Sequence, residues 1–307
     1  MSIRRSDYEN YDYREFWSGE KRLYEDCSER LALKKLITGT AGDDAVFADV
    51  GCGYGRLFSQ YAGFSSILLI DYSMNNLRNA KQRISKYLGP KQEKLESVHF
   101  IAADATRLPL KPDTVDMLLS VRLVHHLSRP ELYFEQVARV LRPGGTYILE
   151  FANKRNTKNI LRAMVGKMDT SPFSLTPSRI GETIQNYHPR YMLNLLKENG
   201  LKPVKLLSVS NFRLQVLKKI FPLKALMFME NFYQNTLSFI SLGPSIFLKA
   251  KTGKPGKKAG PRRLEDMLCC PACGQEKIFI GQGQAICQNC QRIYKIEDGI
   301  YNFKNVE

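Results

Sequence analysis

The stretch Phe47-Ala48-Asp49-Val50-Gly51-Cys52-Gly53-Tyr54-Gly55-Arg56-Leu57 decides the fold of this chain. Its apolar beginning predicts a buried strand, which leads directly into three glycines and then into a helical pattern. Glycine at these positions lets the backbone turn tightly and approach a ligand closely. The helix that follows offers free N–H groups and a positive dipole end. The stretch therefore predicts the first strand, loop and helix of a ligand-binding α/β sheet.

A second acidic position supports a nucleoside ligand. Asp71 ends the next predicted strand, about 20 residues after the loop, where a carboxylate can accept both ribose hydroxyls. The glycines are spaced G-x-G-x-G, unlike the G-x-G-x-x-G of dinucleotide sites, and Asp49 precedes them. S-adenosylmethionine carries an ammonium and a sulfonium but no phosphate. The acidic loop therefore favours that ligand over a pyrophosphate.

Short apolar runs alternate with helical patterns over residues 42–151, which predicts a parallel sheet. After residue 152 the pattern is less regular, and an apolar helical stretch over 214–240 is broken near Pro222. The predicted strands cover residues 45–50, 66–71, 98–102, 115–120, 146–151, 201–208 and 245–250. The predicted helices cover residues 21–36, 74–88, 129–141 and 189–199.

Residues 46–151 resemble the class I methyltransferases, especially the branch typified by ubiquinone and menaquinone C-methyltransferases. The resemblance implies S-adenosylmethionine as donor and a Rossmann-like α/β sheet of seven strands, the last antiparallel. The two late predicted strands fit the sixth and seventh. The matching elements are the glycine loop, Asp71, Ala103-Asp104-Ala105 with Leu108-Pro109-Leu110, Asp116 to Leu127 with His125-His126, and Leu141-Arg142-Pro143-Gly144-Gly145.

The same resemblance assigns roles along the predicted strand ends. Asp49 and the glycine loop would hold the amino-acid part of the donor, Asp71 the ribose, and Asp104 with the Ala105 backbone the adenine. Each acid could instead cap a turn or a helix, but all lie where open α/β sheets bind ligands. The donor-binding residues implied in this way are Asp49, Gly51, Cys52, Gly53, Gly55, Asp71, Asp104, Ala105, Ser120 and Val121.

The catalytic group is less defined by the sequence. Methyl transfer is an in-line displacement whose barrier falls through alignment and exclusion of water. A base is needed only for a poorly nucleophilic acceptor. We place His125 and Arg122 first, because His126 is expected to face the core, with Glu150 and His188 as further candidates. Aromatic residues near the start predict a lid over the donor or a disordered tail: Tyr8, Tyr11, Tyr13, Phe16 and Trp17.

Two cysteine pairs predict a metal site near the end of the chain. Cys270-Pro-Ala-Cys273 and Cys287-Gln-Asn-Cys290 are separated by 13 residues, so that two tight turns can complete a four-thiolate site. This spacing favours structural zinc over redox chemistry or iron, and Cys269 is the spare cysteine. The region resembles a small bacterial zinc-ribbon family, related to the activator subunit that partners tRNA, rRNA and release-factor methyltransferases.

Charge and composition divide the chain further. The net charge is +16, and residues 151–248 carry 14 basic and 4 acidic side chains, whereas residues 249–264 carry 7 basic and none acidic. Such a field implies an anionic partner, either RNA or an acidic membrane surface, although it could serve solubility alone. The predicted regions are an N-terminal lid and helix (1–40), a methyltransferase domain (41–251) with a basic and apolar acceptor region at about 152–244, a basic linker (252–264) and a zinc ribbon (265–307).

The sequence leaves the methyl acceptor open. The ribbon and the basic charge slightly favour RNA or a translation component. The alternative is a small-molecule or lipid-like acceptor of the quinone type, and a third reading is a binding module without catalysis. Clustered cysteines predict a reducing cytoplasm, with the protein free there or peripheral to a membrane. Neither a secretory signal nor a spanning helix is predicted.

Overall fold

One eleven-stranded sheet organises the chain in the computed structural model, which describes residues 13–17, 19, 22–37, 44–168, 170–181, 184–256 and 263–304. The strands are β1 (Val46–Val50), β2 (Ser66–Asp71), β3 (Val98–Ala102), β4 (Val115–Ser120), β5 (Leu141–Ala152), β6 (Ser178–Ile180), β7 (Ile184–Asn186), β8 (Leu201–Val209), β9 (Ser245–Thr252), β10 (Ile278–Gly281), β11 (Gln284–Cys287), β12 (Ile293–Glu297) and β13 (Ile300–Asn302). The helices are α1 (Tyr13–Trp17), α2 (Leu23–Ile37), α3 (Met74–Leu88), α4 (Pro130–Val140), α5 (Thr157–Met164), α6 (Pro189–Glu198), α7 (Gln215–Ile220), α8 (Leu223–Thr236) and α9 (Leu264–Met267).

Seven strands reproduce the predicted methyltransferase sheet. Their order is β3-β2-β1-β4-β5-β9-β8, with β9 antiparallel to both neighbours and the others pairing in parallel from β3 to β5. The central strands β1 and β4 are buried along their whole length, as expected for parallel strands covered on both faces. Cores on the two faces of the sheet complete the fold, and the predicted fold class is confirmed.

Local chemistry explains why α3 begins and ends as the sequence predicts. Ser73 is the N-cap, and its Oγ accepts a hydrogen bond from the Asn76 backbone N–H at 3.2 Å. Gly89 ends the helix with φ of +51°, a conformation that favours glycine. The structure thereby places the N-terminus of α3 beside the end of β2, where Asp71 lies.

The cysteine-rich region continues the main sheet. β13 pairs in parallel with β3, and the Phe303 backbone N–H donates to the Ala102 carbonyl at 2.8 Å. Cys269 N–H donates to the Pro109 carbonyl at 3.1 Å, so the chain is also joined to the loop that follows β3. Phe303 and Cys270 belong to the same buried core as β1 and β4. The ribbon is therefore an extension of the sheet, which its sequence did not indicate.

The two connections that follow β5 and β8 lie at one edge of the sheet. The register pairs Ala152 at the end of β5 with Ser245 at the start of β9, and Ser245 with Val209 at the end of β8. Residues 153–200 therefore begin at the carboxyl edge of the parallel strands. Residues 210–244 begin and end at the same edge. The sequence missed α5 and the β6–β7 hairpin in this region. Among the described residues, the helices are too short or too polar to cross a bilayer.

Candidate active site

A cavity of about 320 Å³ opens at the carboxyl ends of β1, β2, β3 and β4. Ligands of open α/β sheets bind at this edge, where loops from neighbouring strands converge. The lining includes most of the residues that the resemblance assigned to the donor: Asp49, Gly51, Cys52, Gly53, Asp71, Asp104, Ala105 and Val121. Gly55 and Ser120, from the same prediction, are absent from the lining. Their roles in donor binding stay predictions.

Asp49 is a buried acid at the end of β1. Its side chain is 3 % exposed, and burial raises the pKa of its carboxyl to about 7. Tyr61 Oη donates a hydrogen bond to the Asp49 carboxyl, which partly offsets that rise, while the nearby Asp71 carboxylate adds to it. A cationic ligand group beside Asp49 would lower the pKa of this carboxyl and favour its ionised form. The site therefore favours a cationic group.

The glycine loop divides into residues that line the cavity and one that packs the fold. Gly51, Gly53 and Gly55 have φ of +78°, +53° and +70°, in the left-handed region. A Cβ on Gly51 would lie 3.0 Å from Leu123 Cβ, so a side chain would crowd the cavity wall. A Cβ on Gly55 would instead meet Ile84 and Ala80 of α3. Gly55 thus allows α3 to pack closely, which explains why it lies outside the lining.

Asp71 connects the loop to the start of α3. One carboxylate oxygen accepts from the Gly53 backbone N–H at 2.8 Å. The other accepts from Ser73 N–H at 2.9 Å and from Asn76 Nδ2 at 3.3 Å. These contacts fix the orientation of the Asp71 carboxylate where it lines the cavity.

The adenine position predicted at the end of β3 lies in a tight turn. Asp104 Oδ1 accepts from the Thr106 N–H at 2.9 Å and from Thr106 Oγ1 at 2.8 Å. This is the turn-capping role that the sequence left open, and Asp104 nevertheless lines the cavity together with Ala105. The loop is fixed from the other side by the ribbon, through the contact of Cys269 with Pro109.

Beyond the end of β4 the predicted residues separate. Ser120 is fully buried, and its Oγ lies 2.8 Å from Tyr147 Oη within the core. Val121 and Arg122 line the cavity. Ser120 therefore supports the strand end from behind, because its hydroxyl is directed to Tyr147. Whether Ser120 also contributes to donor binding stays a prediction.

Arg122 is held above the cavity by a buried acid from α2. Its backbone adopts φ of +59°, and its N–H donates to the buried Glu150 carboxylate at 2.8 Å. Its Nε donates to Glu29 Oε1 at 3.1 Å. Burial opposes ionisation of Glu29, but the Arg122 and Arg56 guanidiniums outweigh it and lower the pKa of that carboxyl. Arg122 is thus held by an ion pair with Glu29. To transfer a proton, the guanidinium would have to give up this ion pair.

The N-terminal helix α1 contributes an aromatic cover to this arginine pair. The Trp17 ring lies 3.6 Å from the Arg56 guanidinium carbon and 4.7 Å from that of Arg122. Arg56 also forms an ion pair with Asp26 of α2. The predicted lid is represented here by Trp17, whereas Tyr8 and Tyr11 lie outside the described residues.

The two histidines after β4 occupy the reverse of the expected positions. His125 is 7 % exposed and absent from the lining, and its Nδ1 has no hydrogen-bond partner among the described residues. Burial lowers the pKa of His125 well below its usual range. His126, whose ring centroid is 4.2 Å from that of His125, lines the cavity. The sequence could not distinguish them, because they lie in a short 3-10 turn without helical periodicity.

The remaining base candidates are structural in this arrangement. Glu150 accepts from Arg122 N–H and Ser245 Oγ, and burial raises the pKa of its carboxyl. His188 caps α6, with its Nδ1 accepting from the Arg190 N–H at 3.1 Å. Neither side chain lines the cavity.

The four predicted metal ligands come together within the ribbon. The sulfur atoms of Cys270, Cys273, Cys287 and Cys290 all lie within 4.8 Å of one another. Sγ–Sγ distances of 3.7 Å (Cys270–Cys290) and 3.6 Å (Cys273–Cys287) match the roughly 3.8 Å edge of a tetrahedron with zinc–sulfur bonds of about 2.3 Å. The donor set therefore fits structural zinc. Burial raises the pKa of Cys269, the spare thiol, to about 11.

The basic linker is partly attached to the protein body. Lys254 Nζ donates to Asp113 Oδ1 at 2.6 Å and to the Leu141 carbonyl at 2.9 Å. Lys254 therefore contributes less to an anion-binding surface than the sequence suggested. Lys257, Lys258 and Arg262 lie outside the described residues.

Comparisons with known proteins show what this region is similar to. Residues 48–149 match the family described as "Methyltransferase domain". The chain is 36 % identical over 117 residues to an uncharacterised chloroplastic methyltransferase of Arabidopsis thaliana, At1g78140, covering 38 % of this chain and 32 % of the relative. It is 26 % identical over 176 residues to a ubiquinone biosynthesis O-methyltransferase of Coxiella burnetii, covering 57 % and 70 %. The chain spans about a third of the length of the Arabidopsis relative.

Solved structures support the fold. A chain from the complex between the Haloferax volcanii Trm112 methyltransferase activator and a methyltransferase superposes with a TM-score of 0.52. The two chains are 16 % identical, and the match covers 79 % of this chain and 97 % of the other. The Rossmann-like methyltransferase fold, extended by strands that carry a four-cysteine cluster, is thus established.

Proposed function

We propose that this chain is an S-adenosylmethionine-dependent methyltransferase whose acceptor is a small, largely apolar molecule. The observation that carries the donor assignment is the convergence of Asp49, Asp71 and Asp104, from the ends of three strands, on one cavity. The match of residues 48–149 to the methyltransferase family supports the same ligand.

The residues of the cavity suit the chemical parts of this donor. Asp49 would face the ammonium group, Asp71 would accept the ribose hydroxyls, and Asp104 with the Ala105 backbone would bind the adenine. When bound, S-adenosylmethionine supplies a methyl group activated by its sulfonium. The protein aligns the reactants and excludes water, and these two effects lower much of the barrier in such displacements.

His126 is the residue best placed to receive a proton from an acceptor. It lines the cavity beside Arg122 and Leu127, whereas His125 lies buried behind it. A neutral imidazole within reach of the acceptor can act as a general base. An acceptor that is already nucleophilic would not need this step.

Several observations support a small apolar acceptor over RNA. The part of the cavity wall that follows β4 includes the apolar Val121, Leu123 and Leu127. The relative from Coxiella burnetii is a ubiquinone biosynthesis O-methyltransferase, whose name indicates a small-molecule acceptor. Lys254 of the basic linker bonds to Asp113 of the protein itself. The sequence slightly favoured RNA, and the comparisons support the alternative better. Membership in the quinone C-methyltransferase branch stays a prediction.

Replacement of Asp71 tests the donor site. Asp71→Asn removes a charged acceptor for the ribose hydroxyls, worth about 1.5–3 kcal/mol in total, so affinity for S-adenosylmethionine should fall roughly 10- to 100-fold. Calorimetric titration measures this, with the exposed Asp44→Asn as matched control. Equal affinities in both variants would refute the ribose assignment.

Transfer of a labelled methyl group from the donor into cell extracts then tests the acceptor. Lipid, RNA and protein fractions should be separated after the reaction. We expect label in the lipid fraction, and label confined to RNA would overturn the proposed acceptor class.

A further inference from the structure

Helix α8 buries two polar side chains against the protein and exposes two phenylalanines to water. The buried residues of this helix are Leu226, Glu230 and Gln234, spaced four apart along one face. Phe228 and Phe232 are 75 % and 59 % exposed, and Phe239 in the following turn is 77 % exposed. Burial of polar side chains beneath exposed aromatic ones reverses the usual pattern of a surface helix.

Polar contacts explain how α8 is held in this orientation. The Glu230 carboxylate accepts from Tyr24 Oη of α2 at 2.7 Å and from the Ser210 N–H at 2.9 Å. Gln234 Nε2 donates to the Ser28 carbonyl at 3.2 Å. Since these buried bonds fix the inner face, the outward direction of the phenylalanines is set by the fold.

The neighbouring helix α7 adds aliphatic residues to the same part of the molecule. Leu214, Val216 and Ile220 are 62 %, 66 % and 63 % exposed. Lys218, between them, turns inward and pairs with Glu25 of α2 at 2.7 Å. We call the exposed set the α7–α8 surface: Leu214, Val216, Ile220, Phe228, Phe232 and Phe239. So many exposed large apolar side chains on adjoining elements mark an interaction site.

Helix α5 begins beside the turn that follows α8 and, like the α7–α8 surface, exposes large apolar side chains. The Thr157 N–H donates to the Leu242 carbonyl at 3.0 Å, which joins the start of α5 to the turn after α8. No residue of α5 is buried, and Leu161 and Met164 are 59 % and 78 % exposed. Leu161 and Met164 are thus two further exposed apolar side chains on a helix that begins next to the turn after α8.

Positive charge accompanies the exposed apolar groups. Lys219 and Lys224 are exposed in α7 and α8, as are Lys158 and Arg162 in α5. The one acid between residues 210 and 244 is Glu230, which is buried. Basic side chains around exposed apolar ones fit an anionic lipid surface. The apolar side chains can enter the boundary of the acyl chains, while the basic ones are attracted to the anionic headgroups. Aliphatic side chains such as Leu214 and Ile220 cannot stack on bases, so RNA fits this surface less well.

The connection that carries this surface begins and ends at the sheet edge where the donor cavity opens. Residues 210–244 leave the sheet at Val209 and return at Ser245, opposite Ala152 at the carboxyl end of β5. We propose that the α7–α8 surface docks on an anionic membrane and brings the cavity to the lipid phase. The benefit to methyl transfer rests on the proposed function, but the docking itself does not.

Vesicle binding tests this proposal directly. Large unilamellar vesicles of phosphatidylcholine with phosphatidylglycerol should bind the full chain, whereas phosphatidylcholine alone should bind it weakly. Each phenylalanine withdrawn from water is worth about tenfold in partitioning, so Phe228→Ser/Phe232→Ser should bind about 100-fold more weakly. Replacing Lys219 and Lys224 by Gln should cost about fivefold each, and added salt should reduce wild-type binding.

A matched pair at the other end of the sheet controls for general hydrophobicity. Phe279 and Ile293 of the ribbon are 56 % and 57 % exposed, and Phe279→Ser/Ile293→Ser should bind vesicles like the wild type. Equal losses in both pairs, or a wild type that ignores anionic vesicles, would overturn the proposal. So would a wild type that binds total RNA but not vesicles and loses RNA in the phenylalanine variant.

Donor binding separates this proposal from the proposed function. Calorimetric titration of S-adenosylmethionine without vesicles should give equal affinities for the wild type and for both paired variants. A wild type that binds vesicles but no donor would refute the function and leave the docking intact. Normal donor binding without vesicle binding would refute the docking and leave the proposed function intact.

Discussion

The two ends of the central sheet are completed in different ways. At the β3 end, the cysteine ribbon adds four strands, and Phe303 enters the shared core with no exposed surface. At the β8 end, helices α7 and α8 bury polar contacts and leave phenylalanines in water. The first end buries Phe303 in the core, whereas we propose that the second exposes its phenylalanines to a membrane. The ribbon end also exposes Phe279 and Ile293, so exposure alone does not mark a docking surface.

The largest test of this contrast is removal of the metal ligands at the ribbon end. Cys273→Ser should abolish binding of one zinc per chain and forfeit up to about 10 kcal/mol of folding free energy in the ribbon. Because the ribbon supports the loop at Pro109, affinity for S-adenosylmethionine should fall as well. Elemental analysis and thermal unfolding measure the first effects, and calorimetry the last.

Cys269→Ser is the control for that experiment. Cys269 is buried but lies outside the four-sulfur cluster, so this variant should keep its zinc and lose only about 1–3 kcal/mol. A metal-free Cys273→Ser protein with unchanged unfolding would mean that the ribbon end is stable through its core contacts alone.

The second test compares one phenylalanine from each end. Phe303→Ala removes a fully buried ring and should lower the free energy of unfolding by about 3–5 kcal/mol. Phe228→Ala removes a ring that is 75 % exposed and should change it by about 0.5 kcal/mol or less. Urea denaturation of both variants measures the difference. Similar losses would show that α8 also depends on its aromatic side, against the docking interpretation.

The third test concerns the donor site, which lies between the two ends. The Asp49 pKa of about 7 lies above its unfolded value, so the ligand-free protein loses stability as pH rises from about 4 through about 7. A bound cation favours the carboxylate, so donor affinity should rise about tenfold per pH unit below pH 7 and level off above it.

Calorimetric titration of the donor at several pH values measures how its affinity depends on pH. It also shows whether substitutions at the β8 end change that dependence. Tyr61→Phe removes the hydrogen bond that lowers the Asp49 pKa, so the level region should begin at higher pH. Phe228→Ser/Phe232→Ser should show the wild-type profile. A flat profile in the wild type would contradict the role of Asp49 as the buried partner of a cation.

The sequence predicted the sheet well because its signals are local. The strand ending at Asp71 and the helix beginning at Met74 follow from apolar runs, a serine cap and a glycine stop. The glycine loop and the acids after three strands likewise predicted most of the cavity lining. These features depend on neighbouring residues, which one sequence displays directly.

The remaining features depend on contacts between distant residues. Pairing of β13 with β3 leaves no trace in either segment, and the burial of His125 rather than His126 depends on the packing around a short turn. The role of Glu230 became visible only when α2, α8 and the end of β8 were brought together. Composition indicated that residues 210–244 are apolar, but it could not show which side faces water.

The pairing of β13 with β3 also sets an order for events during synthesis. Asn302 meets Ala102, about 200 residues earlier in the chain. At about 5–20 residues per second on the ribosome, the β3 edge waits about 10–40 s for its neighbour. An unpaired edge of a hydrophobic sheet can recruit strands from other chains during that interval. Slow translation before the cysteine pairs should therefore increase aggregation of the nascent chain, even though the finished protein has that edge covered.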